Sequence, residues 1–158
     1  GEPTGDPAED PAQVVRVVHG EQRPGRLQRR HGTVALGALP PPEVAARIRE
    51  AHLFCLPSVR ESGGAVLLEA MACARPVVAV AFGGPAEVVD DGVGRALPDT
   101  GREAVVGGLV EVFRDVVAHP DAWRARGEEG LRRARERYGW EAKVDAAVAL
   151  YRRLLANG

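Results

Sequence analysis

Lysine is almost absent from this sequence of 158 residues, since Lys143 is the only lysine among 21 basic residues and the others are arginine. The basic residues are offset by 22 acidic ones, which gives a formal net charge of -1 and excludes a general attraction to nucleic acid. Compositional extremes are absent too, because 45% of the residues are hydrophobic and 27% are charged. These proportions are typical of an ordinary globular domain and exclude a fibrous or wholly disordered chain.

Cysteine is scarce, and no metal-binding pattern is present. Cys55 and Cys73 lie inside apolar runs without the Cys-x-x-Cys or Cys/His spacing that a structural zinc site requires, so we expect both to be buried. No Asp-x-Asp motif occurs, and the histidines lack the mutual spacing of metal ligands. The sequence therefore predicts no metal site, and it assigns no functional role to His19, His31, His52 or His119.

Long hydrophobic runs are missing as well. No stretch approaches the roughly 20 apolar residues that a membrane-spanning helix needs, and the amino terminus has no signal-peptide pattern. A cytoplasmic location is therefore expected. The basic run 131–138 could attract the protein to an anionic membrane, but Glu128, Glu129 and Glu136 lie among its arginines and favour a solvated helix face with i,i+4 pairs. Membrane contact is expected to be peripheral at most.

The hydrophobic pattern predicts strands that alternate with helices. Strands are expected at 14–18, 33–36, 53–56 and 77–80, and helices at 40–51, 65–74, 103–117, 121–137 and 140–155. The apolar strands are too continuous for a sheet with one wet face, which favours parallel βαβ units covered on both faces. The predicted fold class is α/β, with a Rossmann-like parallel sheet flanked by helices and a helical C-terminal tail.

One domain is predicted at residues 13–158, after a flexible tail at 1–12. The tail is rich in Pro, Gly, Glu and Asp and has almost nothing apolar, so burial cannot offset the entropy of ordering it. The C-terminal helices are expected to pack on the sheet. The last of them carries an apolar stripe with the period of a helix, in which Trp140 and Tyr151 are interpreted as packing anchors.

The most informative passage is P-S-V-R-E-S-G-G-A-V-L-L-E-A-M-A at 57–72, which leaves a strand through a loop and enters a helix. Gly63 and Gly64 permit close approach of the backbone to a ligand, and the first helical turn presents N–H groups without helical partners. The carboxyl end of a parallel strand is also where open α/β sheets bind ligands. This arrangement favours a diphosphate.

Two glutamates flank that helix start. A carboxylate accepts hydrogen bonds from neighbouring hydroxyls, so Glu69 could hold a ribose diol and Glu61 the hydroxyls of a sugar. In the alternative interpretation Glu69 faces solvent, and Glu61 stabilises the helix start through the helix dipole. The spacing by itself favours the alternative.

The run E-S-G-G-A-V-L-L-E-A-M-A-C-A-R-P-V-V-A-V-A-F-G-G-P-A-E-V-V at 61–89 resembles the Glu-x7-Glu region of family 4-like (group 1) retaining glycosyltransferases. A weaker likeness covers most of the chain beyond Val14. The resemblance implies one half of a GT-B fold, so that 13–158 is a partial nucleotide-sugar-binding domain. It also implies a hexosyltransferase-type reaction that uses a nucleotide-diphosphate sugar, retains anomeric configuration and needs no metal or other cofactor.

Residue by residue, the resemblance implies that Glu61 is the catalytic residue and contacts the transferred sugar. It further implies that the Gly63 and Gly64 amides contact phosphate and that Glu69 binds ribose. The implied donor-binding residues are Ser62, Gly63, Gly64, Ala65 and Glu69.

A neighbouring turn formed by Gly83, Gly84 and Glu87 is implied below the site, with Glu87 capping or orienting it. Ala74 stands where the family usually has glycine, which is expected to shift the helix end slightly.

The chain also departs from the family upstream, because the Arg and Lys that neutralise the leaving diphosphate and the acceptor domain have no counterpart, and Lys143 cannot replace them by position. An inactive fragment is therefore expected. Two alternatives stay open: a non-catalytic nucleotide- or partner-binding fragment of the same fold, and a GT-B-like sugar-nucleotide epimerase, which the Glu-x7-Glu context disfavours.

Overall fold

The computed structural model describes residues 17–19 and 36–156. Along the chain the elements are β1 (Val17–His19), α1 (Pro41–Glu50), β2 (Leu53–Leu56), α2 (Ala65–Ala72), β3 (Val77–Val80), α3 (Gly84–Val88), β4 (Gly94–Leu97), α4 (Arg102–Ala118), α5 (Pro120–Arg133), a π-helical turn (Ala134–Tyr138) and α6 (Trp140–Ala156). The predicted tail at 1–12 and the predicted strand residues 14–16 and 33–35 lie outside the described residues. Leu36, the last residue of the second predicted strand, is not in a strand.

The strands form one parallel sheet in the order β1-β2-β3-β4. Leu56 of β2 pairs with Ala79 of β3, which pairs in turn with Ala96 of β4. Successive side chains of a strand point to opposite faces, so β2 and β3 supply two core layers. Phe54 and Leu56 belong to one cluster of buried residues, whereas Leu53 and Cys55 belong to the other.

Helices cover both faces of this sheet. On one face α1 and α2 contribute buried side chains that include Ile48, Leu67 and Met71. On the other face α4 and α5 contribute Val105, Val112, Val116 and Trp123. The predicted α/β class, with a parallel sheet between helical layers, is confirmed, and both cysteines are buried as expected.

Helix α2 ends two residues earlier than the apolar pattern predicts. It stops at Ala72, and Ala74 adopts a left-handed conformation with φ of 56°. The turn is held against α5, because a Cβ added at Gly127 would lie 2.5 Å from the Ala74 carbonyl oxygen. The residue that stands in place of the family glycine therefore occupies the conformation that glycine adopts without strain.

Strand β4 was missed by the sequence analysis. Its residues G-R-A-L contain no β-branched side chain, so the local pattern gives no strand signal. Gly94 permits the pairing with β3, since its backbone lies so close to β3 that an added Cβ would overlap the Val77 carbonyl oxygen. Only a residue without a side chain permits this approach.

The junction of α4 and α5 is organised around Asp115. Its carboxylate accepts a hydrogen bond from the indole N–H of the buried Trp123 at 2.9 Å and lies 2.8 Å from His119 Nδ1. The guanidinium of Arg126 lies 4.4 Å from the centre of the Trp123 ring. His119 therefore has a structural partner that sequence analysis did not assign.

The expectation that α6 packs on the sheet is wrong for the part of the chain that the structure describes. No residue of α6 is buried, and Trp140 and Tyr151 are 86% and 65% exposed, so they are not packing anchors. The apolar stripe of α6, which includes Val144 and Leu155, faces solvent. A helical period shows that one face is apolar, but it does not identify what that face contacts.

The basic run 131–138 forms a charged helix surface, as predicted. Arg132 pairs with Glu129 at 2.7 Å and with Glu136. Arg133 also pairs with Glu129 and reaches Asp90 at 2.7 Å. Within residues 17–19 and 36–156, no helix is long and apolar enough to cross a membrane.

Candidate functional site

Two loops meet at the carboxyl edge of the sheet. Strands β2 and β3 are neighbours and run parallel, so the loop at 57–64 and the short connection at 81–83 emerge side by side. Each leads directly into a helix, α2 and α3 respectively. This edge is where parallel α/β sheets place ligand sites.

The second loop supports the backbone of the first. The Gly84 N–H donates a hydrogen bond to the Ser62 carbonyl oxygen at 3.1 Å. A Cβ added at Gly84 would lie 2.7 Å from the Gly63 carbonyl oxygen, and one added at Gly83 would overlap the Glu61 carbonyl oxygen. The turn predicted below the site is therefore present, as the start of α3, and its glycines allow the two backbones to touch.

Glu61 turns its carboxylate back onto its own loop. Its Oε1 atom accepts hydrogen bonds from the Gly63 N–H at 3.2 Å and the Gly64 N–H at 3.1 Å. Gly64 precedes α2 with φ of 64°, a left-handed conformation that favours glycine. The same two amides that the family resemblance assigns to phosphate thus bind an internal carboxylate here. Glu61 therefore lies at the helix start, as in the alternative interpretation, although that interpretation invoked the helix dipole and not these two hydrogen bonds.

The remaining predicted donor-binding residues lie in the loop and on an exposed face of α2. Ser62 and Ala65 are exposed. Glu69 follows Ala65 by four residues on the same face, about 6 Å along the helix axis, and is exposed. The Glu69 carboxylate has no hydrogen bond or ion pair with the residues that the structure describes.

A groove of about 390 Å³ runs beside Glu69, between α2 and the end of α5. Its lining is mostly apolar and consists of Leu68, Glu69, Ala72, Leu131, Ala134, Arg135, Tyr138 and Gly139. The residues at 61–65 do not line it. The structure therefore gathers Glu61, Ser62, Gly63, Gly64 and Ala65 at the loop, and places Glu69 where α2 borders the groove.

Charged groups near the loop are few. Arg60 is exposed beside Glu61 and is the only basic residue at 57–64. Glu87 is exposed in the first turn of α3 and makes no side-chain hydrogen bond with the described residues, so it does not cap the turn, and a role in orienting the turn stays a prediction. Among the described residues, no group of three or more His, Cys, Asp or Glu side chains could hold a metal ion.

A parallel sheet with two neighbouring loops at its carboxyl edge, one of which enters a helix through paired glycines, defines an α/β domain of the class that places ligand sites at this edge. The chain also matches the family model described as glycosyl transferases group 1 over residues 7–115. It belongs to the group 1 glycosyltransferases.

Curated relatives agree with this membership. The chain is 38% identical over 125 residues to a D-inositol 3-phosphate glycosyltransferase of Segniliparus rotundus, covering 77% of this chain and 26% of that protein. It is 38% identical over 123 residues to an alpha-maltose-1-phosphate synthase of Mycolicibacterium smegmatis, covering 75% of this chain and 31% of that protein. The chain thus spans between a quarter and a third of these relatives.

A solved structure shares the fold. The sucrose-phosphate synthase of Thermosynechococcus elongatus superposes with a TM-score of 0.64 and 31% sequence identity, over 78% of this chain and 30% of that protein. The fold class expected from the sequence, one half of a GT-B fold, is confirmed by this similarity.

Proposed function

We propose that this chain is the donor-binding half of a retaining glycosyltransferase that takes a nucleotide-diphosphate sugar. The observation that carries the proposal is the pair of Gly63 and Gly64 amides directed at a carboxylate oxygen, 3.2 and 3.1 Å away, at the start of α2. In a member of the group 1 family, amides that bind one anion at a helix N-terminus are suited to the oxygens of a diphosphate.

The chemistry follows from the charge that builds on the leaving group. When the sugar–phosphate bond breaks, the departing diphosphate gains negative charge, and amides already in position stabilise it without rearrangement. The partial positive charge of the α2 N-terminus acts in the same direction. Transfer without a metal is proposed on this basis and on the resemblance to retaining group 1 enzymes.

Glu69 and Glu61 hold the two ends of the donor in this proposal. Glu69 lies beside the groove with its carboxylate free of partners among the described residues, so it can accept hydrogen bonds from a ribose diol. Glu61 contacts hydroxyls of the transferred sugar and is the proposed catalytic residue. The chain spans only 26% of the first relative, so the acceptor and the residues that bind it are proposed only for the whole protein. A cytoplasmic location stays a prediction.

Calorimetry with the 158-residue chain tests the nucleotide site. UDP, GDP and ADP are titrated in turn, in buffer with and without EDTA, after circular dichroism has established that the chain is folded. We expect weak binding of at least one nucleotide, with the same affinity in EDTA. Absence of binding by all of them at millimolar concentration would refute the site, and binding abolished by EDTA would refute metal independence.

A further inference from the structure

The contact between Glu61 and its own loop creates a conflict with the proposed ligand. The carboxylate oxygen occupies the Gly63 and Gly64 amides at 3.2 and 3.1 Å. An amide N–H directs one strong hydrogen bond, and two negatively charged oxygens at the same pair of donors repel each other. A diphosphate can take these amides only if the Glu61 carboxylate leaves them.

The backbone of the loop has little freedom to resolve the conflict by moving. The Gly84 N–H holds the Ser62 carbonyl oxygen at 3.1 Å, and the Gly83–Gly84 turn lies in contact with the carbonyl oxygens of Glu61 and Gly63. Pro85 is also buried beneath Gly64, whose added Cβ would lie 3.3 Å from the proline ring. The glutamate side chain, which is connected by single bonds, is the part that can rotate.

We propose that Glu61 acts as a specificity-determining residue that favours the complete nucleotide-sugar over the nucleoside diphosphate. The inference rests on the proposed function, because it assumes that the diphosphate binds at these amides. A nucleoside diphosphate displaces the carboxylate and leaves it without new partners. A nucleotide-sugar displaces it too, but its sugar hydroxyls donate hydrogen bonds to the displaced carboxylate. The internal carboxylate therefore weakens product binding more than donor binding and assists product release.

Replacement of the carboxylate separates the two ligands. In Glu61→Ala the amides are free, so the affinity for the nucleoside diphosphate is expected to rise about tenfold, the usual effect of one charged hydrogen-bonding group. The affinity for the matching nucleotide-sugar is expected to rise less or to fall, because the hydroxyl contact is lost as well. Glu61→Gln keeps an acceptor oxygen without its charge and should give a smaller rise.

A matched control removes the same charge elsewhere. Glu111 is exposed on α4, which covers the opposite face of the sheet from α2, and Glu111→Gln is expected to leave both affinities unchanged. Thermal melts of all variants report whether they are folded, and the Gly63 and Gly64 amide resonances in NMR spectra without ligand should shift in Glu61→Gln but not in Glu111→Gln.

Calorimetry is run on each variant with UDP, GDP and ADP, and with UDP-glucose, GDP-mannose and ADP-glucose as donors. A rise in nucleoside diphosphate affinity in the Glu61 variants that exceeds both the change in nucleotide-sugar affinity and any change in Glu111→Gln supports the inference, whereas an equal rise for both ligands overturns it. Unchanged or weaker affinity in the Glu61 variants, while the unsubstituted chain binds, overturns the inference and leaves the proposed function standing. If no folded variant binds any nucleotide, the proposed function fails and the inference with it.

Discussion

Single residues show where local chemistry and the fold disagree. Among the described residues, Ala74 is the only non-glycine residue with a positive φ. A Cβ in the left-handed region meets the following carbonyl oxygen at a cost of roughly 1–2 kcal/mol. Hydrogen bonds just after the turn offset this cost. The Arg75 guanidinium donates to the Cys73 and Ala51 carbonyl oxygens at 3.2 and 3.0 Å.

Ala74→Gly is expected to stabilise the protein. Relief of the left-handed strain exceeds the extra entropy that glycine has in the unfolded chain, which leaves a net gain of about 0.5–1 kcal/mol. Urea unfolding followed by circular dichroism measures the difference. The matched control is Ala72→Gly, at the last residue of α2, where glycine should cost about 1 kcal/mol. Equal losses in both variants would contradict the strain at Ala74.

Asp115 is the residue from which a pH dependence of stability is expected. Hydrogen bonds from the Trp123 indole and then from His119 hold the pKa of the Asp115 carboxyl below its ordinary value of 3.8. The folded chain therefore binds this proton less readily than the unfolded chain. The stabilisation is fully present above the unfolded pKa and is lost as the pH falls through the lower folded pKa.

Asp115→Asn should accordingly reduce the free energy of unfolding at pH 7, and the difference from the unsubstituted chain should shrink as the pH falls from 5 to about 2.5. Urea midpoints across this range measure it. Asp121→Asn is the control, because Asp121 is exposed in the first turn of α5 and its carboxylate forms an ion pair only with Arg124 among the described residues. A difference for Asp115→Asn that stays constant with pH would show that the carboxylate contributes through shape and not through charge.

At the scale of elements, the helices differ in what holds them. Helices α2, α4 and α5 each bury apolar residues against the sheet or against one another. Helix α6 buries none and contacts mainly the π-helical turn before it, where the Lys143 ammonium lies 5.0 Å from the centre of the Tyr138 ring. An amphipathic helix with an exposed apolar face gains little from the fold of the rest of the chain.

Removal of α6 is therefore expected to cost little. A chain that ends at Gly139 should have a free energy of unfolding within about 1 kcal/mol of that of the full chain. This corresponds to a change in Tm of about 2–4 °C or less at this size. Differential scanning calorimetry measures it. A chain that ends at His119 also loses α5 with the buried Trp123 and should fail to unfold cooperatively. A loss of more than about 2 kcal/mol on removing α6 alone would show that its stripe is packed in solution.

At the scale of the whole molecule, the candidate site depends on two segments about twenty residues apart in sequence. The loop at 57–64 supplies the amides and Glu61, and the start of α3 supplies the support through Gly83 and Gly84. Parallel pairing of β2 with β3 brings both to one edge. Each added strand of a parallel sheet can bring another loop to this edge, which is why the site is assembled by topology and not by one continuous motif.

Much of the fold and the position of the candidate loop could be predicted from the sequence, because apolar runs, paired glycines and motif spacing are local signals. The apolar runs at Leu53–Leu56 and Val77–Val80 predicted both strands with the observed bounds. The paired glycines before an apolar run predicted the start of α2 at Ala65. The run at 61–89 carried the resemblance that family membership confirms. Residue order determines these features, since strand period, helix initiation and motif spacing involve near neighbours.

Only the tertiary structure decided the rest, because it depends on what distant segments place side by side. β4 pairs with β3 with Gly94 in close approach to Val77, although its own residues carry no strand signal. The solvent exposure of the α6 stripe follows from the absence of a covering element within the described residues. The Glu61 carboxylate meets the Gly63 and Gly64 amides because the Gly83–Gly84 turn fixes the shape of their loop. Spacing shows which groups are available, and packing determines which of them meet.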